Sequence, residues 1–284
     1  MEPGERGLKR VIVTADDFGL SVPVNEAVEN AHHRGILTTT CLMVGEAAVA
    51  DAVARATAAP DLAVGLHVTV VCGRSVLPHE LIPDLVDAEG RFDTNLVRAG
   101  VRYFFLPRVR RQLAAEIEAQ FAAFQKTGLE LDHINTHNHM HMHPTVLALM
   151  IKIGRKYGAT AIRVPSDPSS ARSPAERMGR LFLAPWLALL KRQVRRAGFR
   201  CNDHIFGIRD SGQMDKGRLV KIFRALPDGV TEVFSHPATG RWDGIDPAAM
   251  DYRFEEEYEA LLDPDVRRTL EATGASLISY RNLL

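Results

Sequence analysis

The chain has 284 residues, of which 46% are hydrophobic and 25% are charged, a composition typical of a folded protein with a substantial core. Lysine plus arginine and aspartate plus glutamate both number 35, so the formal net charge is zero and nucleic acid is not expected as a partner. The three cysteines, Cys41, Cys72 and Cys201, are scattered and odd in number. This argues against a disulfide framework and favours a reducing cytoplasm.

The N-terminal residues and the longest apolar run bear on membrane insertion. The first ten residues, MEPGERGLKR, lack the apolar core of a signal peptide. The longest apolar run covers residues 181–190 and contains Pro185. It has about half the length that a bilayer span requires. We therefore expect a cytoplasmic protein without a transmembrane segment.

Strand-like and helical patterns alternate along the chain. The β-branched run at 11–15 predicts a buried strand that leads Asp16 and Asp17 into a loop. A loop rich in proline and glycine is expected before residue 108. The alternation predicts an α/β fold: one (β/α) barrel-like domain over residues 1–284, of a distorted TIM type with a mostly parallel sheet. Further strands are predicted at 38–44, 62–71, 161–164, 230–235 and before Tyr280, and helices at 24–33, 46–58, 108–127, 145–157, up to 197 and at 216–225.

Residues 129–144, LELDHINTHNHMHMHP, hold five of the eleven histidines. Four of these five are two residues apart, and on a strand that spacing would put their imidazoles on one face. Imidazole is the commonest protein ligand of catalytic metals, so the segment suggests a metal site. A solvated polar face or a nonspecific metal-binding tract would have the same pattern. The histidines are His133, His137, His139, His141 and His143.

Three other polar groups follow predicted strands: Asp16 with Asp17, His67, and Ser235 with His236. Each has an ordinary explanation, because aspartates cap helices and a lone histidine is often a hydrogen-bonded core residue. The carboxyl ends of parallel strands nevertheless meet at one edge, where active sites lie. These groups can therefore converge with the histidine segment.

The order of four motifs resembles the YdjC-like carbohydrate deacetylase family over nearly the whole chain. The motifs are TADDFGLS, VGLHV, DHINTHNHMHMHP and EVFSHPA. Within that family, GILTTTCLMVG, GRF and FFLPRVRRQL are most similar to the hopanoid-biosynthesis-associated branch. The resemblance implies a barrel-like fold and removal of an N-acetyl group from an amino sugar.

The resemblance also implies one divalent metal held by a carboxylate and two imidazoles, which correspond to Asp17, His67 and His137. Asp16 then takes the catalytic role of general base, and His236 is the other polar residue that faces the metal. Two imidazoles and a carboxylate suit zinc, iron, cobalt or nickel, and the resemblance also permits magnesium. We expect Mg²⁺ or Zn²⁺ as the cofactor.

Three further residues are assigned to substrate binding: His139, Arg163 and Asn135. Arg163 could instead pair with Asp16 or lie on the surface. Asn135 stands where many relatives have aspartate, so a neutral amide replaces a carboxylate that would orient an imidazole. His141 and His143 are expected to be structural or to lie at a helix start.

Residues 177–196, RMGRLFLAPWLALLKRQVRR, place an apolar stretch with Trp186 between basic residues from Arg177 to Arg196. Such a segment suits peripheral contact with the inner face of a membrane, although a buried helix or a homodimer contact would also explain it.

The sequence thus predicts a cytoplasmic, metal-dependent deacetylase acting on N-acetylglucosamine, with a hopanoid glycolipid as the expected substrate. A soluble chitooligosaccharide is the other substrate within the family. A metal-dependent phosphoesterase and a noncatalytic metal-binding protein are the alternatives from other classes.

Overall fold

A computed structural model describes residues 8–168 and 174–283, and within 174–182 it describes the side chain of Met178 alone. A parallel sheet forms the centre, and helices flank it. The strands are β1 (Lys9–Phe18), β2 (Thr39–Leu42), β3 (Ala63–Val68), β4 (Leu131–Thr136), β5 (His204–Phe206), β6 (Gly229–Ser235) and β7 (Ser276–Leu277). The helices are α1 (Val22–Arg34), α2 (Val49–Ala58), α3 (Leu96–Phe105), α4 (Pro107–Lys126), α5 (Pro144–Lys156), α6 (Pro174–Arg196), α7 (Lys216–Arg224), α8 (Phe254–Leu262) and α9 (Pro264–Glu271).

The sheet curves into part of a barrel. Its order is β4-β3-β2-β1-β6-β5, with β7 also paired to β1, and all of these pairings are parallel. Beyond β4, a bridge from Ile134 to Ile162 and another from Ala161 to Arg200 carry the pairing around toward β5. The distorted (β/α) barrel expected from the sequence is confirmed.

Strand β1 occupies the middle of the sheet because its residues are apolar on both faces. Val11, Ile12 and Val13 are at most 1% exposed, as a strand covered on both sides requires. Its neighbours are β2 and β6. The carboxyl ends of β1, β3, β4 and β6 therefore meet at one edge, where the polar residues of the four motifs lie.

Helix α3 lies where a loop was expected, so that prediction was wrong. The side chain of Asn95 caps the helix by accepting a hydrogen bond from the backbone N–H of Arg98, at 2.9 Å. Ala99 and Tyr103 are buried against the core. The signal was this cap followed by an amphipathic pattern, which the nearby proline and glycine residues obscured.

The strand predicted through the histidine segment is also corrected. β4 ends at Thr136, and His137–Met142 forms a 3₁₀ helix in which Asn138 and His139 have φ of 53° and 51°. The hydroxyl of Thr136 holds this turn by accepting from the backbone N–H of His141, at 2.9 Å. The imidazoles therefore point in different directions rather than along one face.

Helix α6 contains the segment that the sequence suggested for membrane contact. Leu190 and Val194 are buried, and the Trp186 indole donates to the carbonyl of Met142 at 3.0 Å. Leu183 and Leu189 are exposed. The side chains of Arg177 and Arg180 lie outside the described residues. The segment is thus partly a core helix.

Among the helices that the structure describes, none combines the length and the hydrophobicity that a bilayer span needs.

Candidate active site

Three donor atoms from three strand ends converge at the edge of the sheet. Oδ1 of Asp17 lies 3.2 Å from Nε2 of His67 and 3.0 Å from Nδ1 of His137. The strand β1 supplies Asp17, β3 supplies His67, and His137 is the first residue after β4. The ligand set that the resemblance implied is therefore brought together, although fifty residues or more separate its members in the sequence.

The backbone and the charge of Asp17 are both unusual. Its φ is 66°, a left-handed conformation that costs energy for a residue with a side chain, and such strain is found most often at functional sites. Burial alone would raise the pKa of Asp17, but the charge and hydrogen bonds of His137, with a hydrogen bond from His67, hold that pKa well below its usual value. This shift favours the ionised carboxylate.

His67 is fixed from behind by neutral groups. Its Nδ1 lies 2.7 Å from the side-chain amide of Asn135 and 3.1 Å from Sγ of Cys41. These contacts hold the ring so that Nε2 lies 3.2 Å from the carboxylate of Asp17. Asn135 is fully buried, so its assignment to substrate binding is corrected: it orients an imidazole.

Asp16 takes part in a buried ion-pair network. Both of its oxygens accept from the guanidinium of Arg163, at 2.6 and 2.7 Å, and Arg163 also donates to Glu232 at 2.7–3.1 Å. Burial opposes ionisation of Asp16, but the charge of Arg163 and then that of His67 hold its pKa far below the usual range. Arg163 is 0% exposed, so it pairs with Asp16 and is neither a surface residue nor a substrate contact.

A second trio, Asp16, Cys41 and His67, also brings possible ligand atoms within 4.8 Å of one another. The ligand atoms of this trio are less available to a metal ion. Arg163 occupies both oxygens of Asp16, and burial together with the charge of Asp16 raises the pKa of the Cys41 thiol well above its usual value. The group of Asp17, His67 and His137 is the better candidate for a metal centre.

The three donors open into a cavity of about 530 Å³. Aromatic side chains of Phe234, Trp242 and Tyr252 form part of its wall, and Arg74 and Arg91 line it as well. Aromatic faces beside hydrogen-bonding groups suit a sugar ring, which has apolar faces and polar edges. The cavity is therefore large enough and mixed enough in polarity for a sugar.

His236 and His139 both line this cavity. The ring of His236 lies 5.2 Å from that of Tyr252, and its backbone N–H donates to Glu257 at 2.5 Å. The ring of His139 lies 5.3 Å from Phe234. Burial, and then the charge of Arg163, lower the pKa of His139 well below its usual value, which keeps it neutral.

His141 and His143 are held by contacts with other residues. Nδ1 of His141 lies 2.7 Å from the hydroxyl of Thr136, and His143 precedes α5 and packs against Tyr103 and Phe104. Their expected structural roles agree with these contacts. Sequence reasoning missed Cys41, Glu232 and Tyr280, which surround the Asp16 network. A charged residue inside the apolar strand 230–235 was the available signal for Glu232.

A family model described as "YdjC-like protein" matches residues 10–272. The chain belongs to this family. The match spans all four motifs and both halves of the barrel, so the YdjC-like core accounts for nearly the whole chain.

Curated YdjC-like relatives carry the name carbohydrate deacetylase. The protein of Thermoanaerobacter pseudethanolicus is 27% identical over 274 residues, which cover 96% of this chain and 98% of the relative. The protein of Brevibacillus brevis is 37% identical over 148 residues, 52% of this chain and 56% of that one. The sequence identity is therefore higher in the match that spans half of the chain than in the match that spans nearly all of it.

A solved structure has the same fold. The crystal structure of a candidate cellobiose-phosphate cleavage protein from Enterococcus faecalis V583 is 25% identical, with a TM-score of 0.73. The alignment covers 97% of this chain and 99% of that one. The barrel of this YdjC-like protein is thus shared along its full length.

Proposed function

We propose that this YdjC-like protein is a metal-dependent carbohydrate deacetylase that removes the N-acetyl group from an N-acetylglucosamine moiety. The observation that carries the proposal is the contact of Asp17 with His67 and His137, at 3.2 and 3.0 Å, beside a second buried carboxylate. The names of the relatives support the same reaction class. An amide is a poor electrophile, so its hydrolysis needs the kind of activation that such a centre supplies.

The three donors fit a divalent ion. Metal–nitrogen and metal–oxygen bonds of about 2.1 Å in a tetrahedral arrangement put the ligand atoms about 3.4 Å apart. The two separations from Asp17 come close to this value. Two imidazoles and one carboxylate favour zinc over magnesium, which prefers oxygen ligands. Bound by these residues, a divalent ion supplies polarisation of the acetyl carbonyl and a lower pKa for water.

Asp16 is proposed as the general base. It is adjacent to Asp17 in the chain and lines the cavity. Arg163 keeps Asp16 ionised and fixes both of its oxygens. A carboxylate has about four lone-pair sites, so the bonds from Arg163 still leave a site that can accept a proton. Removal of a proton from the attacking water by such a group contributes about 10² to 10⁴ in rate.

His236 is proposed to act on the other side of the scissile bond. It lines the same cavity as Asp16, and Glu257 and Tyr252 position its backbone and its ring. A protonated imidazole there donates to the developing oxyanion or to the leaving amine. His139, which is neutral and also lines the cavity, is proposed to contact the sugar.

The proposed substrate is the N-acetylglucosamine head group of a hopanoid glycolipid, hydrolysed in the cytoplasm at the inner face of the membrane. Support comes from the motifs that resemble the hopanoid-associated branch. The segment 177–196 is the contact that the sequence suggests for a membrane, and the exposed apolar residues among its described side chains include Met178, Leu183 and Leu189. A soluble chitooligosaccharide is the competing substrate.

Mass spectrometry of the reaction products tests the proposal. Zinc-loaded protein is incubated in parallel with N-acetylglucosaminyl hopanoid in vesicles, with chitotriose, and with a generic phosphoester. We expect loss of one acetyl group from the lipid. Loss from chitotriose alone would move the substrate to soluble sugars, and phosphate release without acetate would refute the reaction class.

A further inference from the structure

Helix α3 and the first turn of α4 present an apolar face to solvent. Of the fourteen large hydrophobic side chains that are exposed in the described part of the chain, six lie within residues 96–106. Val97 and Phe105 are 78% and 67% exposed. We call this surface the α3 face; its apolar members are Leu96, Val97, Val101, Phe104, Phe105 and Leu106.

The α3 face is a continuous stripe on a helix that is firmly attached to the core. Residues 97, 101, 104 and 105 follow helical spacing, so their side chains share one side of α3. On the opposite side Ala99 and Tyr103 are buried, and the Tyr103 hydroxyl donates to the carbonyl of Val70. Exposure of the stripe is therefore a consequence of how α3 packs.

Arginines lie along the α3 face, where Arg98 pairs with Asp93 at 2.5 Å and Arg108 pairs with Asp84 at 2.7 Å. Residues 95–115 contain five arginines and no acidic residue, in a chain whose net charge is zero. Arg110 and Arg111 are exposed and form no ion pair within residues 8–168 and 174–283. The other arginines of the α3 face are Arg98, Arg102 and Arg108.

The α3 face also adjoins the cavity. Phe92 and Thr94 line the cavity, and the next residue, Asn95, caps α3. At its other end, Phe104 contacts His143, which follows the 3₁₀ turn carrying His137 and His139. A surface that the α3 face touches would therefore lie beside the mouth of the cavity.

We propose that the α3 face docks on the surface of an anionic phospholipid bilayer. Apolar side chains on one side of a helix, with arginines around them, suit insertion at the boundary between headgroups and acyl chains. Unpaired arginines are attracted to anionic headgroups, and this attraction weakens as salt is added. Docking brings the cavity to the bilayer, where a lipid-linked sugar would be presented.

Vesicle co-sedimentation tests the apolar part of this proposal. We expect the wild type to pellet with vesicles that contain half phosphatidylglycerol, and Phe104→Ser/Phe105→Ser to raise the apparent Kd at least tenfold. Leu277→Ser, at an exposed apolar residue on β7, is the control and should bind as the wild type does. Equal pelleting of the Phe104/Phe105 variant and the wild type would overturn the proposal.

A charge variant provides a test that leaves the apolar residues intact. Arg110→Gln/Arg111→Gln should lose at least fivefold in affinity for anionic vesicles, whereas Lys221→Gln/Arg224→Gln, two exposed cations on α7, should not. If the Phe104/Phe105 variant fails to fold, the comparison of the Arg110/Arg111 variant with the Lys221/Arg224 variant tests the proposal. If the wild type does not bind vesicles, the proposal is wrong. A dimer that the α3 variants dissociate would assign the face to protein contact instead. Binding is measured without turnover, so the result is independent of the proposed deacetylation.

Discussion

Replacement of Arg163 by methionine tests whether one buried guanidinium neutralises two carboxylates. The Arg163 side chain is fully buried, and its nitrogens lie 2.6 and 2.7 Å from Asp16 and 2.7–3.1 Å from Glu232. Methionine fills part of the same space but brings neither a charge nor a donor. Both carboxylates then remain buried without a cation unless one of them takes up a proton.

The magnitude follows from the cost of that proton. A carboxyl with an ordinary pKa near 4 costs about 4 kcal/mol to protonate at pH 7, because each pKa unit is worth about 1.4 kcal/mol. Breaking a buried ion pair by removing one partner costs about 3–5 kcal/mol. We therefore expect Arg163→Met to lower the free energy of unfolding by about 4 kcal/mol at pH 7.

The loss should depend on pH in a defined direction. In the wild type, Arg163 outweighs burial and holds the pKa of Asp16 below its unfolded value, so this carboxylate stabilises the fold above the unfolded pKa and loses its effect as pH falls. In the variant an unpaired buried carboxyl has a raised pKa, so the variant gains stability as pH falls. The difference in free energy of unfolding between the wild type and Arg163→Met should therefore shrink by about 1.4 kcal/mol for each unit that the pH falls from 7 to 5.

Urea denaturation followed by circular dichroism, at pH 7 and pH 5, measures these differences. The matched control is Arg163→Met combined with Asp16→Asn and Glu232→Gln, which removes the unpaired charges and should recover about 2 kcal/mol. The reasoning is refuted if Arg163→Met unfolds within about 1 kcal/mol of the wild type at pH 7, since a buried pair of this kind costs more to break.

Three further outcomes follow from the structure. Asp16→Asn should lower kcat by about 10² to 10⁴ while the metal content stays unchanged, and near-normal acetate release would remove Asp16 from the role of base. Gly65→Ala should lower the urea midpoint, because a Cβ there would lie 2.5 Å from the ring of His133, whereas Gly100→Ala, with 3.5 Å to its nearest neighbour, should not lower it. Burial, and then the charge of Asp16, raise the pKa of Cys41, so its thiol should react with Ellman's reagent at pH 7 only after unfolding.

Much of the barrel was readable from the sequence because its strands are strongly apolar and its turns are marked. The run 11–15 lies within β1, and residues 63–68 of the predicted strand 62–71 form β3. Helix α3 was not predicted because proline and glycine residues near it indicated a loop. Asn95 was nevertheless a usable signal for the start of a helix. Local patterns therefore predicted an element correctly where neighbouring residues favour the same secondary structure. They failed where neighbouring residues favour different structures.

The proposed metal donors could be chosen from motif order but not from histidine spacing. An alternating histidine pattern predicts a strand, yet the left-handed residues Asn138 and His139 turn the chain immediately after His137. The partner of Asp16 lies 147 positions away, at Arg163, and no local pattern connects the two. Contacts across the barrel depend on how the curved sheet brings distant strands together, which is why the contacts of Cys41 with Asp16 and of Glu232 with Arg163 became visible only in three dimensions.

Acetate release measured before and after metal removal tests the central proposal most directly. Protein stripped with a chelator should release no acetate from an N-acetylglucosamine substrate, and added zinc should restore release in the wild type and in His33→Ala, a variant of an exposed histidine on α1. His137→Ala should neither retain one zinc ion per chain nor recover activity. Full acetate release by the stripped protein, or by zinc-treated His137→Ala, would contradict a metal centre built from Asp17, His67 and His137.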